Sequence, residues 1–340
     1  MSKRPVTVIT GFLGSGKTTL LNHLLRDPGM ADTAVVINEF GEVAIDHLLV
    51  ETSIENTVVL QSGCICCTVR GDLVDTLSGL EEKRQRGAIP DFSRVLIETT
   101  GLADPVPVLQ TLATDPAIAP AFVLNMVVTT VDAANGLDQL DAFAEAVKQA
   151  ALADLILLTK TDLADRDSID RLQRRLSRLN PPANIIEVRN GRLSPQTLFA
   201  AASPDPRANP HELGRWLAAD AYQELDTHAH EHKHDRSRHG EDIRAFAITH
   251  DRPITAALLR TWLAALASLR GRDLLRMKGV VHIAGLPGPM VVQGVQHLLH
   301  PLVALPRWPD ADRRTRIVFI TRGIPKAAIE ASFAMLTGTK

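Results

Sequence analysis

The sequence predicts an α/β protein, a parallel β-sheet with helices on both faces followed by a small α+β domain, and three observations predict it. Short apolar segments rich in β-branched residues alternate with stretches of helical spacing through the first part of the chain. The first of them runs into a glycine-rich turn that opens a helix. Composition changes near Ala200, and beyond a polar, histidine-rich stretch the order becomes strand, helix, several strands, helix. A chain of 340 residues exceeds what one core usually holds, so we expect a first domain over 1–205, a linker over 206–241 and a second domain over 242–340.

Val6–Thr10 is short and β-branched, as a buried parallel strand should be, and Thr19–Leu25 continues with apolar helical spacing. Between them lies Gly11-Phe12-Leu13-Gly14-Ser15-Gly16-Lys17-Thr18, a complete G-x-x-x-x-G-K-[ST] phosphate-binding loop in the strand-to-helix context that this pattern requires. Gly11, Gly14 and Gly16 let successive backbone N–H groups, with those of Ser15 and Thr19, turn toward one point at the helix N-terminus, where they cradle phosphate oxygens. Lys17 adds a point charge at the β- and γ-phosphates, and the Thr18 hydroxyl reaches Mg²⁺. The spacing differs from the G-x-G-x-x-G of dinucleotide sites.

Further buried strands are expected at Ala34–Asn38, Thr57–Gln61, Arg94–Glu98, Asn125–Val131, Leu155–Thr159 and Ile185–Val188, with a helix from Gly71 to Arg86. Active groups of such sheets gather beyond the carboxyl ends of the strands, and every polar motif in this half falls there. Glu98-Thr99-Thr100-Gly101 closes one strand: Glu98 is placed to hold the Mg²⁺ shell or orient the attacking water, and the Gly101 amide to approach the γ-phosphate. A carboxylate capping the next helix is the plainer alternative. Thr159-Lys160-Thr161-Asp162 closes another and resembles the Asn-Lys-x-Asp element of GTPases. Asp162 can accept both N1–H and N2–H₂ of guanine, a donor pair that adenine lacks, and the Lys160 stem can lie over the base; GTP is therefore preferred to ATP. With Thr159 where that element has Asn, one contact to the base or to the phosphate loop is expected to be missing. Arg189-Asn190-Gly191 is a candidate for the other side of the base, with Asn190 the binding residue.

Three cysteines, the only ones in the chain, lie at Cys64, Cys66 and Cys67, so no disulfide framework organises the fold. Thiolates are soft ligands that suit Zn²⁺ and other late transition ions, and on one loop they leave a coordination position that Glu39 or Glu42 could fill. Buried apolar cysteines and a redox pair are the alternatives. Histidines 228, 230, 232, 234 and 239 alternate with polar residues in a stretch that cannot build a core; it reads as a linker that collects metal weakly or merely spaces two domains. Beyond it we expect strands at Ile243–Thr249, Leu274–Ala284, Met290–Gln296 and Arg316–Thr321, a helix over Pro253–Leu269 and another from about Pro325.

Taken together, these elements resemble one family, the CobW-type GTPases, which group with the HypB and UreG proteins of hydrogenase and urease maturation. The resemblance spans I-T-G-F-L-G-S-G-K-T-T at Ile9–Thr19, N-E-F-G at Asn38–Gly41, G-C-I-C-C at Gly63–Cys67, E-T-T-G-L-A at Glu98–Ala103, T-K-T-D, the histidine-rich linker and L-L-R-M-K-G at Leu274–Gly279. It implies GTP hydrolysis coupled to delivery of a metal, Zn²⁺ or Co²⁺, from the C-x-C-C cysteines to a client metalloprotein or metal-insertion enzyme, with a homodimer as one assembly open to it. A passive metal store would need only the cysteines and histidines, and a P-loop small-molecule kinase would need an acceptor site that no motif supplies. A net charge of −2 and an aromatic content of 4% give no footprint for nucleic acid. No apolar run is long enough to span a bilayer and no secretory leader opens the chain, so a cytoplasmic location without a membrane partner is expected.

Overall fold

A computed structural model describes residues 3–37, 58–61, 70–200 and 243–338. The Asn38–Gly41 turn, Glu39, Glu42, Cys64, Cys66, Cys67 and the 206–241 linker lie outside the described residues. The chain divides into two compact units, one of Met1–Gln139, Ala153–Gln173 and Ala183–Pro204, the other of Leu140–Leu152, Arg174–Pro182 and Asp205–Lys340.

The first unit is built on β1 (Arg4–Gly11), β2 (Thr33–Ile37), β3 (Val58–Gln61), β4 (Arg94–Glu98), β5 (Phe122–Asp132), β6 (Leu155–Thr159) and β7 (Asn184–Glu187). They form one sheet in the order β3-β2-β4-β1-β5-β6-β7, every pairing parallel. β2 and β6 are buried at every position, which a strand achieves only when both faces are covered. On one face Ile9, Val35, Leu96, Val128 and Leu157 pack with Leu20, Leu21 and Leu24 of α1 (Lys17–Leu24) and with Leu198 of a helix at Pro195–Ala200. Helices at Arg70–Gln85 and Val106–Thr114 complete the expected alternation. Most element bounds differ by one to three residues from those expected, and strand pairing explains two of the shifts. The Asn125–Val131 segment extends to Phe122–Asp132, because Asp132 still pairs in register with Thr159. The Ala34–Asn38 segment starts one residue earlier, at Thr33, since Thr33 pairs with Arg94.

In the second unit β8 (Ile243–His250), β9 (Leu274–Val281), β10 (Met290–Val295), β11 (Leu298–Leu299) and β13 (Thr315–Arg322) form an antiparallel sheet ordered β11-β10-β9-β13-β8, with β12 (Val303–Ala304) also on β10. Helices at Ala256–Arg270 and Lys326–Thr337 cover one face: Trp262, Leu263, Ile329 and Phe333 pack on Phe246, Met277, Ile317 and Phe319. Thr255 starts the first of them by accepting the Leu258 N–H, so it begins at Ala256 rather than at Pro253; Ile254 instead bridges to Ile283. Among the described residues no helix is long and apolar enough to cross a membrane.

Candidate functional site

The phosphate loop owes its shape to close backbone approach. Gly11 has φ 144°, and a Cβ there would lie 2.3 Å from Thr130 Oγ1 and 2.8 Å from Ser15 Oγ, so only glycine fits. Ser15 N–H donates to Phe12 O (3.1 Å), and the Ser15 and Thr130 hydroxyls share a hydrogen bond of 2.6 Å, fixing the loop to β5. Gly16, at φ 90°, hands the chain to α1 with no side-chain cap hydrogen bond at the helix N-terminus. Lys17 is buried, its Nζ donating to the carbonyls of Gly11 (2.9 Å) and Phe12 (3.2 Å). A positive charge is thus already held within the loop.

The strand next to β1 delivers the Glu98 motif. Ile9 pairs with Glu98, Thr99 N–H donates to Ile9 O (2.9 Å), and the Thr99 hydroxyl donates to Thr10 Oγ1 (2.9 Å). Glu98 is 2% exposed and accepts from the Thr18 hydroxyl at 3.4 Å. A Cβ on Gly101 would lie 2.7 Å from the Leu13 backbone, so this glycine is pressed against the phosphate loop. Lys17, Thr18, Glu98 and Gly101 therefore converge at one end of the sheet.

The flank of the phosphate loop where the base is expected is built by β5, β6 and the turn after β7. Thr159 Oγ1 donates to Ser15 O (2.6 Å) and Val131 O (3.2 Å), so of the two contacts that the absence of Asn puts at stake, to the base or to the phosphate loop, the one to the loop is made by threonine. The reason is distance: the β6 end approaches the loop closely enough, with the Thr159 side chain 3.5 Å from where a Gly16 Cβ would stand, for a short hydroxyl to span it. Lys160 adopts a left-handed backbone (φ 54°) and its Nζ donates to Asp132 Oδ2 (2.8 Å), while Asp162 is exposed beside it. Asn190 (φ 52°) and Gly191 (φ 69°) turn tightly, and Gly191 leaves only 2.8 Å between a built Cβ and Thr19 O. That brings the Arg189–Gly191 turn to the start of α1, beside the same loop.

Asp132 was missed by sequence reading, although a carboxylate directly after a buried strand was the signal used for Glu98. Burial alone would raise its carboxyl; hydrogen bonds from Lys160, Asn135 and the Ala134 N–H, with the Lys160 charge, outweigh that and hold it below the usual carboxylate range.

Glu39, Glu42 and the three cysteines are outside the described residues, and the described residues contain no group of three or more His, Cys, Asp or Glu arranged to hold a metal ion. The strands leading to them are described. Ile37 pairs with Gln61 on one side and Glu98 on the other, so β2, β3 and β4 end at one level.

Residues 5–187 match the CobW/HypB/UreG nucleotide-binding domain and residues 243–337 the cobalamin synthesis protein CobW C-terminal domain. The chain is 34% identical to the zinc chaperone YjiA of Escherichia coli over 99% of both sequences. It is 32% identical to the zinc chaperone CobW of Pseudomonas aeruginosa, covering 97% of this chain and 90% of that one. The crystal structure of the Zn(II)-bound YjiA GTPase from E. coli superposes with a TM-score of 0.71 at 30% identity, covering 99% of each chain. With matches across both units and a phosphate loop assembled as that nucleotide-binding domain requires, the chain belongs to the CobW/HypB/UreG family.

Proposed function

We propose that this chain is a GTP-dependent metallochaperone that carries Zn²⁺, with Co²⁺ as the alternative cargo, and releases it to a client metalloprotein on hydrolysis. The loop amides and Lys17 bind the β- and γ-phosphates, and Asp162 accepts from guanine, with Lys160 and Asn190 beside the base. Thr18 and Glu98 offer hard oxygens 3.4 Å apart at the start of α1, a donor set that fits Mg²⁺. When bound, that ion neutralises charge on the phosphates. Glu98, buried at a strand end, is the group available to orient the attacking water. Cys64, Cys66 and Cys67, with Glu39 or Glu42, form the cargo site.

The observation that carries this reading is the shared level of Ile37, Gln61 and Glu98. The Glu39–Glu42 segment follows β2 and the cysteine segment follows β3, so both leave the sheet within two strand spacings of Glu98, about 10 Å. Segments that start from strand ends at the level of Glu98 can be ordered by the γ-phosphate and released after hydrolysis. The names of relatives as zinc chaperones and as a GTPase support the same reading. Turnover of GTP and ATP with and without Zn²⁺, and Zn²⁺ affinity by chelator competition in apo, GDP and non-hydrolysable GTP states, test it. GTP turnover above ATP turnover and tighter Zn²⁺ binding in the GTP state, lost in Cys66→Ala, are expected. Equal Zn²⁺ affinity in all three states would overturn delivery, and equal use of ATP would overturn the choice of nucleotide.

A further inference from the structure

We propose that Asp132 is a positioning residue for nucleotide binding: its carboxylate anchors the Lys160 ammonium before GTP arrives and so fixes the Lys160 stem beside the base. The inference rests on reading Thr159–Asp162 as the base-recognition turn and adds a residue to it.

Four donors converge on this one buried carboxylate, and its two oxygens have different tasks. Oδ1 accepts the N–H groups of Ala134 (2.8 Å) and Asn135 (3.2 Å), holding the turn that follows β5. Oδ2 accepts from Asn135 Nδ2 (3.0 Å) and Lys160 Nζ (2.8 Å). The Asp132 side chain is 2% exposed, whereas that of Lys160 is 37% exposed, so a buried carboxylate grips a lysine whose side chain is still partly accessible. The grip is rigid, because Asp132 pairs in register with Thr159 and Ala133 N–H donates to Thr159 O (2.9 Å). Thr159 in turn bonds Ser15 O in the phosphate loop. Asp132 thus joins the turn that reads the base to a frame already tied to the phosphate site.

A lysine loses much rotamer freedom when it is ordered, and a side chain held beforehand does not charge that loss against binding. A carboxylate that only staples the Ala133–Asn135 turn would make the same backbone bonds. Asp132→Asn separates the two roles: an amide oxygen in place of Oδ1 still accepts the backbone N–H groups, but an amide nitrogen in place of Oδ2 meets two donors and repels Lys160.

Steady-state GTP hydrolysis should be measured for wild type, Asp132→Asn, Lys160→Met and the double variant. Asp132→Asn is expected to raise the KM for GTP about fivefold with kcat within about twofold, the signature of binding lost equally from ground and transition states. Lys160→Met keeps a stem but has no ammonium to anchor and is expected to show the same rise. The double variant should be no worse than either single. An unchanged KM in Asp132→Asn overturns the anchor, as does a further rise when Asp132→Asn is added to Lys160→Met, because a stapling carboxylate acts without the lysine. A KM for Lys160→Met far above that of Asp132→Asn also overturns it, since the ammonium would then serve the nucleotide directly. Should Asp132→Asn fail to fold, Lys160→Met at its partly exposed position carries the test, and an unchanged KM there overturns the anchor. Wild type that turns over no GTP removes the underlying reading and the anchor with it. Wild type that is active beside an unaffected Asp132→Asn removes the anchor alone.

Discussion

The parallel sheet buries Thr10, Thr99, Thr130, Asp132 and Thr159 at or just past the carboxyl ends of its strands, whereas the antiparallel sheet buries Arg276, Lys278 and Arg316 along β9 and β13. Both arrangements hide polar groups at some cost in desolvation, and both offset it with hydrogen bonds. The difference lies in what does the satisfying. In the first sheet the partners come from other strands and loops: Thr99 bonds Thr10, Ser15 bonds Thr130, and Thr159 reaches the Ser15 carbonyl. In the second, Arg316 is met by Asp310, six residues earlier, and Arg276 Nη1 donates to Leu152 O (2.7 Å), the end of the helix at Ala144–Leu152 in the same unit. Buried polarity marks a site where it gathers several groups at one sheet edge beside the phosphate loop; spread along β9 and β13 and answered singly, by a nearby carboxylate or a helix end, it marks a structural device.

Lys17→Ala should break the comparison most forcefully if it is wrong. The side chain lies within the phosphate loop, and removing a charge-assisted contact made to transferring phosphates should lower GTP turnover by about a hundredfold or more. Near-normal turnover would mean that the polar edge of the parallel sheet is not the catalytic one. Asp162→Asn comes next. An amide donor replaces an acceptor, so guanine loses its pair while xanthine, which carries a carbonyl in place of the amine, gains one; the GTP-to-XTP preference should swing by about a hundredfold. Competition binding with the two nucleotides decides it, and an unmoved preference would place base reading elsewhere.

Thr159→Val sharpens the same point with a smaller effect. It keeps the shape of a buried side chain and removes the donor to Ser15 O and Val131 O, costing about 1 kcal/mol and about fivefold in GTP affinity. Titration with a fluorescent, non-hydrolysable GTP analogue measures this, and an affinity equal to wild type would make the 2.6 Å contact incidental.

Thr159 also shows where sequence reading ran out. The loop from Gly11 to Thr18 was legible because its chemistry is local, needing only glycines at fixed spacing between a strand and a helix. Glu98 and Asp162 were legible as polar groups ending apolar strands. That threonine could do the work of asparagine was not, because it depends on how near the end of β6 comes to Ser15, a distance set by the register of three strands, β1, β5 and β6. Asp132 is lost through a boundary: apolar spacing stops at Val131, one residue before the carboxylate that the strand's pairing includes. The two-residue strands β11 and β12 are too short to carry a periodic pattern at all.

The smallest effect on turnover, and the test of the other half of the comparison, is expected from Asp310→Ala in the second unit. Arg316 is 5% exposed, its Nη1 and Nη2 each donating to Asp310 at 2.9 Å and Nη2 also to Asp312 O at 3.1 Å. Removing Asp310 leaves a buried guanidinium with Asp312 as its remaining carboxylate, at 3.6 Å from Nη1. Breaking a fully buried pair costs about 3–5 kcal/mol, but Asp310 itself is 39% exposed and its attraction is screened by water, so about 1–2 kcal/mol is expected here. Arg316→Met removes the charge together with its need for a partner and should cost less than Asp310→Ala, because no desolvated cation is left behind. Denaturant midpoints for the two variants give the order, and GTP turnover per folded molecule should be unchanged in both. If Arg316→Met proves the more damaging, the guanidinium holds more than a local turn. If turnover falls in either while the fold survives, polarity inside the antiparallel sheet serves the nucleotide site after all, and the distinction between the two sheets fails.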